Sequence, residues 1–242
     1  MSYASEVLAD APTVFCELND LVGTTMTDGS GHGYDGAYTA GTTLGVSPLI
    51  TAGTAVSFDA THGAGISNTG GRLDPSGNAM TIEVWALTSM SSASLPEFVC
   101  NFDNVFNNYF QFRLNSNVLD FLFRDSGGSV REVTGTKLIN DGVRHHLAGT
   151  YDGTTMQAYV DGVADGAPLV ASFSLPTGTG SIDLARRSNS GFSNQLTGVL
   201  DEFAYWNYKA LSAGRIAAHY AAGIATAAQQ LMPMSVSAAL RN

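Results

Sequence analysis

Short apolar runs with a period of two, cut by turn signals about every ten residues, constrain this chain more than any other feature. In "RHHLAGTYDGTTMQAYVDGV" (144–163) a strand, an Asp-Gly turn, a second strand and a second Asp-Gly turn follow one another. Asp152-Gly153 and Asp161-Gly162 are hairpin signals, because the tight turn needs a positive φ. Met156, Ala158 and Val160 alternate there with Gln157 and Tyr159. The same alternation sets Ile82, Val84 and Ala86 on one face of "MTIEVWALTS" (80–89). It groups Phe110, Phe112 and Leu114 in "YFQFRL" (109–114), and Leu119, Phe121 and Phe123 in "VLDFLF" (118–123). Further strands are expected at "AVSFD" (55–59), "EFVCNF" (97–102), "SIDLA" (181–185) and "LTGVLDEFAYWN" (196–207). Strands of this kind are half-buried, and their regular spacing predicts an all-β sandwich.

The flanks read differently. "SYASEVLADAP" predicts a short helix that stops before Pro12. "LSAGRIAAHYAAG" predicts a second helix, with Ser212 as N-cap and Gly223 as C-cap. The chain thus divides into a helical arm (1–11), a β-domain (12–222) and an Ala-rich, nearly uncharged tail (223–242). With 242 residues, 27 of them glycine, and charged residues at only 13%, the chain is long enough to bury a core and rich in turns.

Charge narrows the partners. A formal net charge of −10 repels a phosphate backbone, so nucleic acid is not expected; Arg186-Arg187 is the one adjacent basic pair. No stretch reads as a membrane span, and the first fifteen residues lack the basic and apolar regions of a secretion signal. Cys16 and Cys100 both sit among apolar residues, as buried thiols or as a single disulfide.

"DGSGHGYDG" (28–36) contains G-x-G-x-x-G, the dinucleotide fingerprint. That motif must follow a buried strand, open a helix and find an acid about 20 residues on. Here "GTTMT" precedes it, "AYTAGTTLG" follows, and no acid stands between Gly53 and Val56. An EF-hand reading fails because the twelfth position is Thr39, not Glu. The loop is a turn, or one part of a calcium site completed from elsewhere.

"MTIEVWA", "RHHLAGTYDGTTMQAYVDG" and "GVLDEFAYWNYKALSAGRIAAHY" come in an order that resembles the laminin-G-like (concanavalin A-like) jelly-roll domains. The early "DGSGHGYDG" and "AVSFDATHGAGI" are similar as well, so the resemblance covers about residues 12–222. It implies an antiparallel two-sheet jelly-roll sandwich with short terminal helices. The segment from Tyr3 to Tyr38 resembles the opening of such domains in bacteriophage structural proteins, although Phe15-Cys16-Glu17 departs from the usual aromatic pair and basic residue. The resemblance implies a structural calcium ion held by Asp28, the carbonyl of His32 and Asp201; the alternative is an Asx-turn at Asp28 and amide contacts at Asp201.

Catalytic patterns are not found. Some jelly rolls are glycanases with an E-x-D-x-x-E strand, and no such string occurs. Glu83 stands alone, and Asp201-Glu202 and His145-His146 are adjacent pairs, expected to point to opposite faces of a strand. The chain is therefore expected to be non-catalytic. The first expectation is a virion component, a capsid decoration or minor tail protein, whose partners are other virion proteins and itself. The alternative is an extracellular carbohydrate-binding lectin module, with Phe106, Tyr109 and Phe192 as aromatics able to stack on sugar rings.

Overall fold

The computed structural model describes residues 2–102, 109–124, 128–175, 177, 180–187 and 194–225. In chain order the elements are α1 (Tyr3–Leu8), β1 (Val14–Cys16), β2 (Thr25–Met26), β3 (Gly36–Tyr38), β4 (Thr43–Val46), β5 (Ala55–Asp59) and β6 (Ala64–Ile66). Then come β7 (Met80–Leu87), β8 (Glu97–Phe102), β9 (Tyr109–Asn115), β10 (Val118–Arg124) and β11 (Val130–Leu138). The chain continues through β12 (Arg144–Tyr151), β13 (Thr155–Val160), β14 (Val163–Val170), β15 (Ile182–Leu184), β16 (Thr197–Trp206) and α2 (Ala213–Ile224). Two eight-stranded antiparallel sheets result: β14-β13-β12-β7-β16-β5-β4 with β1 paired to β16, and β11-β10-β9-β8-β15-β6-β3-β2. We call them the helix-side sheet and the open sheet. This is the expected two-sheet sandwich.

The alternating residues meet between the sheets. Ile82, Val84, Phe110, Phe112, Leu119, Phe121, Phe123, Met156 and Val160 all join one buried cluster. Its rings interlock, with Phe121 and Phe123 edge-to-face at 5.0 Å and Tyr151 stacked on Phe173 at 4.2 Å. Each fully buried ring of this size contributes roughly 1.5–3 kcal/mol by removal from water. Cys16 and Cys100 are both buried and free. Among the described residues no helix is long and apolar enough to cross a membrane.

The expectation of half-buried strands fails in the helix-side sheet and also in β10 of the open sheet, which is buried from Val118 to Phe123. β7 is buried from Met80 to Ala86 on both faces, and β12 from His145 to Tyr151. A third layer covers the outer face: Tyr3 and Val7 of α1, Leu49 and Ile50, and Ile216 of α2 pack on Phe15, Trp85 and Trp206. His145 and His146 do take opposite faces, yet both are buried, so neither is the solvent-facing histidine that simple alternation would give.

Burying that outer face encloses charge. Glu83, in the centre of β7, and His219, on α2, are both fully buried. His219 Nδ1 lies 2.9 Å from Glu83 Oε2, and its Nε2 lies 3.1 Å from Asp10 Oδ2. With a carboxylate at each nitrogen, both nitrogens donate and the ring is an imidazolium. Burial alone would lower the His219 pKa, but the Glu83 charge and hydrogen bond, then Asp10, raise it. Burial would raise Glu83, and the charge of His219 instead brings it down to about 2. Arg215 extends the network to Asp10 at 2.6 Å and to Glu6 at 2.7 Å, joining α2 to α1.

Gly223 is not the helix C-cap. The helix runs on to Ile224, and Ala225 ends it with extended backbone. Gly223 is instead a contact residue, since a Cβ there would collide with Cζ2 of Trp85. The tail expected from 223 lies outside the described residues from 226 onward.

Two outcomes follow. The raised His219 pKa gives stability that is complete below about pH 6.5, the unfolded value, and is lost as pH rises through the folded value. Thermal melts between pH 6 and 9 should show a fall in Tm that His219→Gln lacks, and the variant should be less stable at pH 6, by up to about 3 kcal/mol, because Glu83 keeps only His146, at 3.5 Å. Equal pH slopes in both proteins would contradict the imidazolium assignment. Gly223→Ala should destabilise by about 1–3 kcal/mol through overpacking, despite alanine's better helix propensity. A gain in Tm would show that the Trp85 contact is not tight.

Candidate functional site

Among the described residues no helix lies on the outer face of the open sheet, although Cys100, Gln111 and Leu122 on that face are buried. Register places Ala37, Gly65, Asp183, Cys100, Gln111 and Leu122 in one row across it. At Ala37 and Gly65 the row has almost no side chain, so the face is hollow there. A cleft of about 420 Å³ results. Alternation within "SIDLA" explains its floor: Ile182 and Leu184 enter the core, and Asp183 between them faces outward.

Asp183 is only 1% exposed, and its Oδ1 lies 3.4 Å from Ser181 Oγ and 3.7 Å from Arg186 Nε. Arg186 also donates through Nη1 to Thr39 Oγ1 at 2.7 Å. Asn68 holds the rim in place, accepting from Leu73 N at 2.7 Å and donating to Asp74 Oδ1 at 2.8 Å. Exposed Ser67 and Thr69 present paired hydroxyls 2.7 Å apart. A carboxylate, a guanidinium and several hydroxyls around an open hollow can donate to and accept from the hydroxyls of a polar ligand. A Cβ at 65 would sit 2.9 Å from Asp183 Oδ1 and push that carboxylate aside.

An ionic ladder continues along the same face. Glu97 Oε1 accepts from Arg187 Nη2 at 2.9 Å and from Gln111, and Arg113 donates to Asp120 at 2.7 Å. Burial pushes Glu97 up to about 7, against the opposing charge of Arg187. Arg186 and Arg187 thus turn to different carboxylates and form no basic patch.

The glycine-rich loop folds around Asp28. Its Oδ1 accepts from Phe15 N and Ser30 N, both at 3.0 Å; its Oδ2 accepts from Tyr34 N at 2.9 Å and Ser30 Oγ at 2.8 Å. Burial would raise its pKa, and these amides bring it below the usual carboxylate value. Four donor contacts thus surround the carboxylate, and Ser30 Oγ also lies 3.2 Å from the Thr13 carbonyl. The bond from Ser30 N is the Asx-turn. The His32 ring stacks on Tyr34 with 5.9 Å between centroids. No helix follows, so the glycine pattern has no nucleotide-binding context.

Asp201 is fully buried on β16 and accepts from Leu49 N at 2.9 Å through Oδ2, while Oδ1 is unpaired. It shares no hydrogen-bond partner with Asp28. The expected opposite facing of Asp201 and Glu202 fails. Glu202 has φ +54° and the register slips between Asp201 and Ala204, so a β-bulge turns both carboxyls to the helix side. Among the described residues no group of three or more His, Cys, Asp or Glu side chains could hold a metal ion. Phe106 and Phe192 lie outside the described residues, and of Tyr109 only the backbone, in β9, is described.

Gly65, Ser67 and Asp183 were not singled out from the sequence, and Arg186 was noted only as half of a basic pair. The period-two pattern of 181–185 already carried the signal for Asp183, but nothing local says which outward residues border a hollow.

A family model described as the concanavalin A-like lectin/glucanases superfamily matches residues 58–217. No curated protein sequence matches the chain. Among solved structures the chain is similar to domain 4 of AbnA, an extracellular arabinanase from Geobacillus stearothermophilus, in complex with arabinotriose. The TM-score is 0.67 at 17% identity, over 86% of this chain and 98% of that one. It is similar to the binding domain of Paraclostridial Mosquitocidal Protein 1, with TM-score 0.67 at 15% identity, over 88% of this chain and 52% of that one. A structure reported under the cell entry of botulinum neurotoxin type C through two ganglioside molecules has TM-score 0.68 at 13% identity, over 87% of this chain and 51% of that one. The chain therefore spans about half the length of those toxin chains, and at such identities the likeness is one of fold. With two-thirds of its length matched by the family model and the two-sheet sandwich in place, this chain belongs to the concanavalin A-like lectin/glucanase superfamily.

Proposed function

We propose that this chain is a non-catalytic carbohydrate-binding module whose glycan site is the cleft over β6 and β15. The observation that carries the reading is the hollow at Ala37 and Gly65, bordered by Asp183, Arg186 and the hydroxyls of Ser67 and Thr69. A sugar presents adjacent hydroxyls, each able to donate and accept. A carboxylate and a guanidinium fixed side by side satisfy both roles. About 420 Å³ holds one or two sugar rings. The arabinotriose complex of a structurally similar domain supports the reading by likeness of fold. The formal net charge of −10 disfavours highly sulfated chains as ligands.

The setting of the module is a separate part of the proposal. On a virion, which the resemblance of residues 3–38 to phage structural proteins implies, it would serve attachment to host glycan. On an extracellular protein it would hold a partner domain to its substrate surface.

A glycan array followed by titration tests the site. The protein should retain defined oligosaccharides, and Asp183→Asn should weaken them at least about tenfold, or ~1.4 kcal/mol. Ser67→Trp, at an exposed position, should block the cleft without lowering Tm. Binding unaffected by both substitutions would place the glycan elsewhere, and no retention of any glycan would contradict the proposed function.

A further inference from the structure

The glycine-rich loop of residues 28–36 builds a small aromatic stack next to the rim of the cleft. The Asp28 carboxylate holds the backbone on both sides of it, accepting from Ser30 N at 3.0 Å and from Tyr34 N at 2.9 Å. Ser30 in turn fixes His32: its Oγ accepts from His32 N at 3.2 Å and lies 3.1 Å from Nδ1 of the ring. Gly31 and Gly33, on either side of His32, take φ of +88° and +71°, which a residue with a Cβ rarely adopts. The rings of His32 and Tyr34 lie nearly parallel as a result, 18° apart in plane with 5.9 Å between centroids. Tyr34 is partly buried against the core, whereas His32 is exposed.

Arg72 joins this stack to the cleft. Its Cζ lies 4.6 Å from the centre of the Tyr34 ring, and its Nε donates to the carbonyl of Ser67 at 3.0 Å. Ser67 and Thr69, beyond the end of β6, line the cleft. The surface therefore passes from the cleft rim through Arg72 to Tyr34 and His32 by direct contacts. Arg72 is exposed, and its two Nη nitrogens have no hydrogen-bond partner among the described residues.

We infer that the glycan site extends from the cleft over this stack, so that its ligand is a linear oligosaccharide longer than the one or two rings the cleft holds. The inference rests on the glycan reading above. A sugar ring has an apolar face of C–H groups and a rim of hydroxyls. The exposed imidazole takes the face, and the Arg72 nitrogens donate to the rim. Packing alone does not explain the arrangement. Tyr34 and Arg72 suffice to cover the core there, and ordering an exposed His32 as well costs side-chain entropy without burying it. A ring ordered before the ligand arrives loses little freedom on binding, which favours affinity. The loop's glycines thus position a ring and not a phosphate.

The test separates this extension from the glycan reading itself. The full chain is titrated by calorimetry with gluco-, xylo-, manno- and arabino-oligosaccharides, each as a series from the monosaccharide to the hexasaccharide. In the series that binds, affinity should rise at least about tenfold from the disaccharide to the tetrasaccharide. His32→Ala should lose most of that gain while keeping the disaccharide affinity within about twofold and leaving Tm unchanged, since the side chain is exposed. His32→Phe keeps a flat ring without the imidazole nitrogens and should keep the gain. A hexasaccharide bound no tighter than the disaccharide overturns the inference and leaves the cleft as the whole site. A gain with length that His32→Ala retains, or that His32→Phe loses, overturns the stacking role of His32. Retention of no sugar at any length contradicts the glycan reading, and the extension falls with it.

Discussion

The ion pair between Glu83 and His219 governs how the rest of the molecule is arranged. A carboxylate in the middle of a central strand is tolerable only if a cation reaches it away from water. That cation arrives on α2, so the helix must lie on the sheet. Asp10 meets the other imidazole nitrogen and Arg215 binds both Asp10 and Glu6, so α1 follows. The outer face of the helix-side sheet is thereby closed, and Trp85 and Trp206 become buried. The proposed glycan cleft lies on the other sheet, whose outer face carries no helix among the described residues.

On that open face side-chain size does the work that loops do in many binding proteins. Small residues at 37 and 65 make the hollow, and Asp183 is held at its floor by strand pairing on both sides. A group positioned by two flanking strands loses little freedom when a ligand arrives, which favours binding. The bulge at Glu202 does the reverse on the helix side. It turns both Asp201 and Glu202 to the helix side, where burial holds the two carboxyls well above their usual range.

Much of the sandwich was legible in the sequence because its long strands alternate cleanly. β5, β7, β9, β10, β13 and β16 stand where the period-two runs and Asp-Gly turns put them. β2, β3, β4 and β6 were not legible: they have two to four residues, several of them glycine, and exist only through pairing with distant strands. β14 hid behind Gly166 and Pro168, which its edge position tolerates. Ser212 was readable as a cap because capping is local. Gly223 was misread because its reason is a tryptophan more than a hundred residues away in the chain. The bulge could not be read at all, since Glu202 adopts a left-handed backbone without being glycine. The same limit applies to the cleft, whose hollow exists only once β3, β6 and β15 are side by side.

Chemical-shift mapping on the isotopically labelled chain measures directly where a ligand sits. The protein is titrated with the tightest oligosaccharide from the array, and amide shifts are followed residue by residue. The largest changes should fall at Gly65, Ser67, Thr69 and Ser181 around the cleft, with α1 and α2 silent. Changes concentrated on the helix side, or spread evenly with no maximum at the cleft, would contradict that placement.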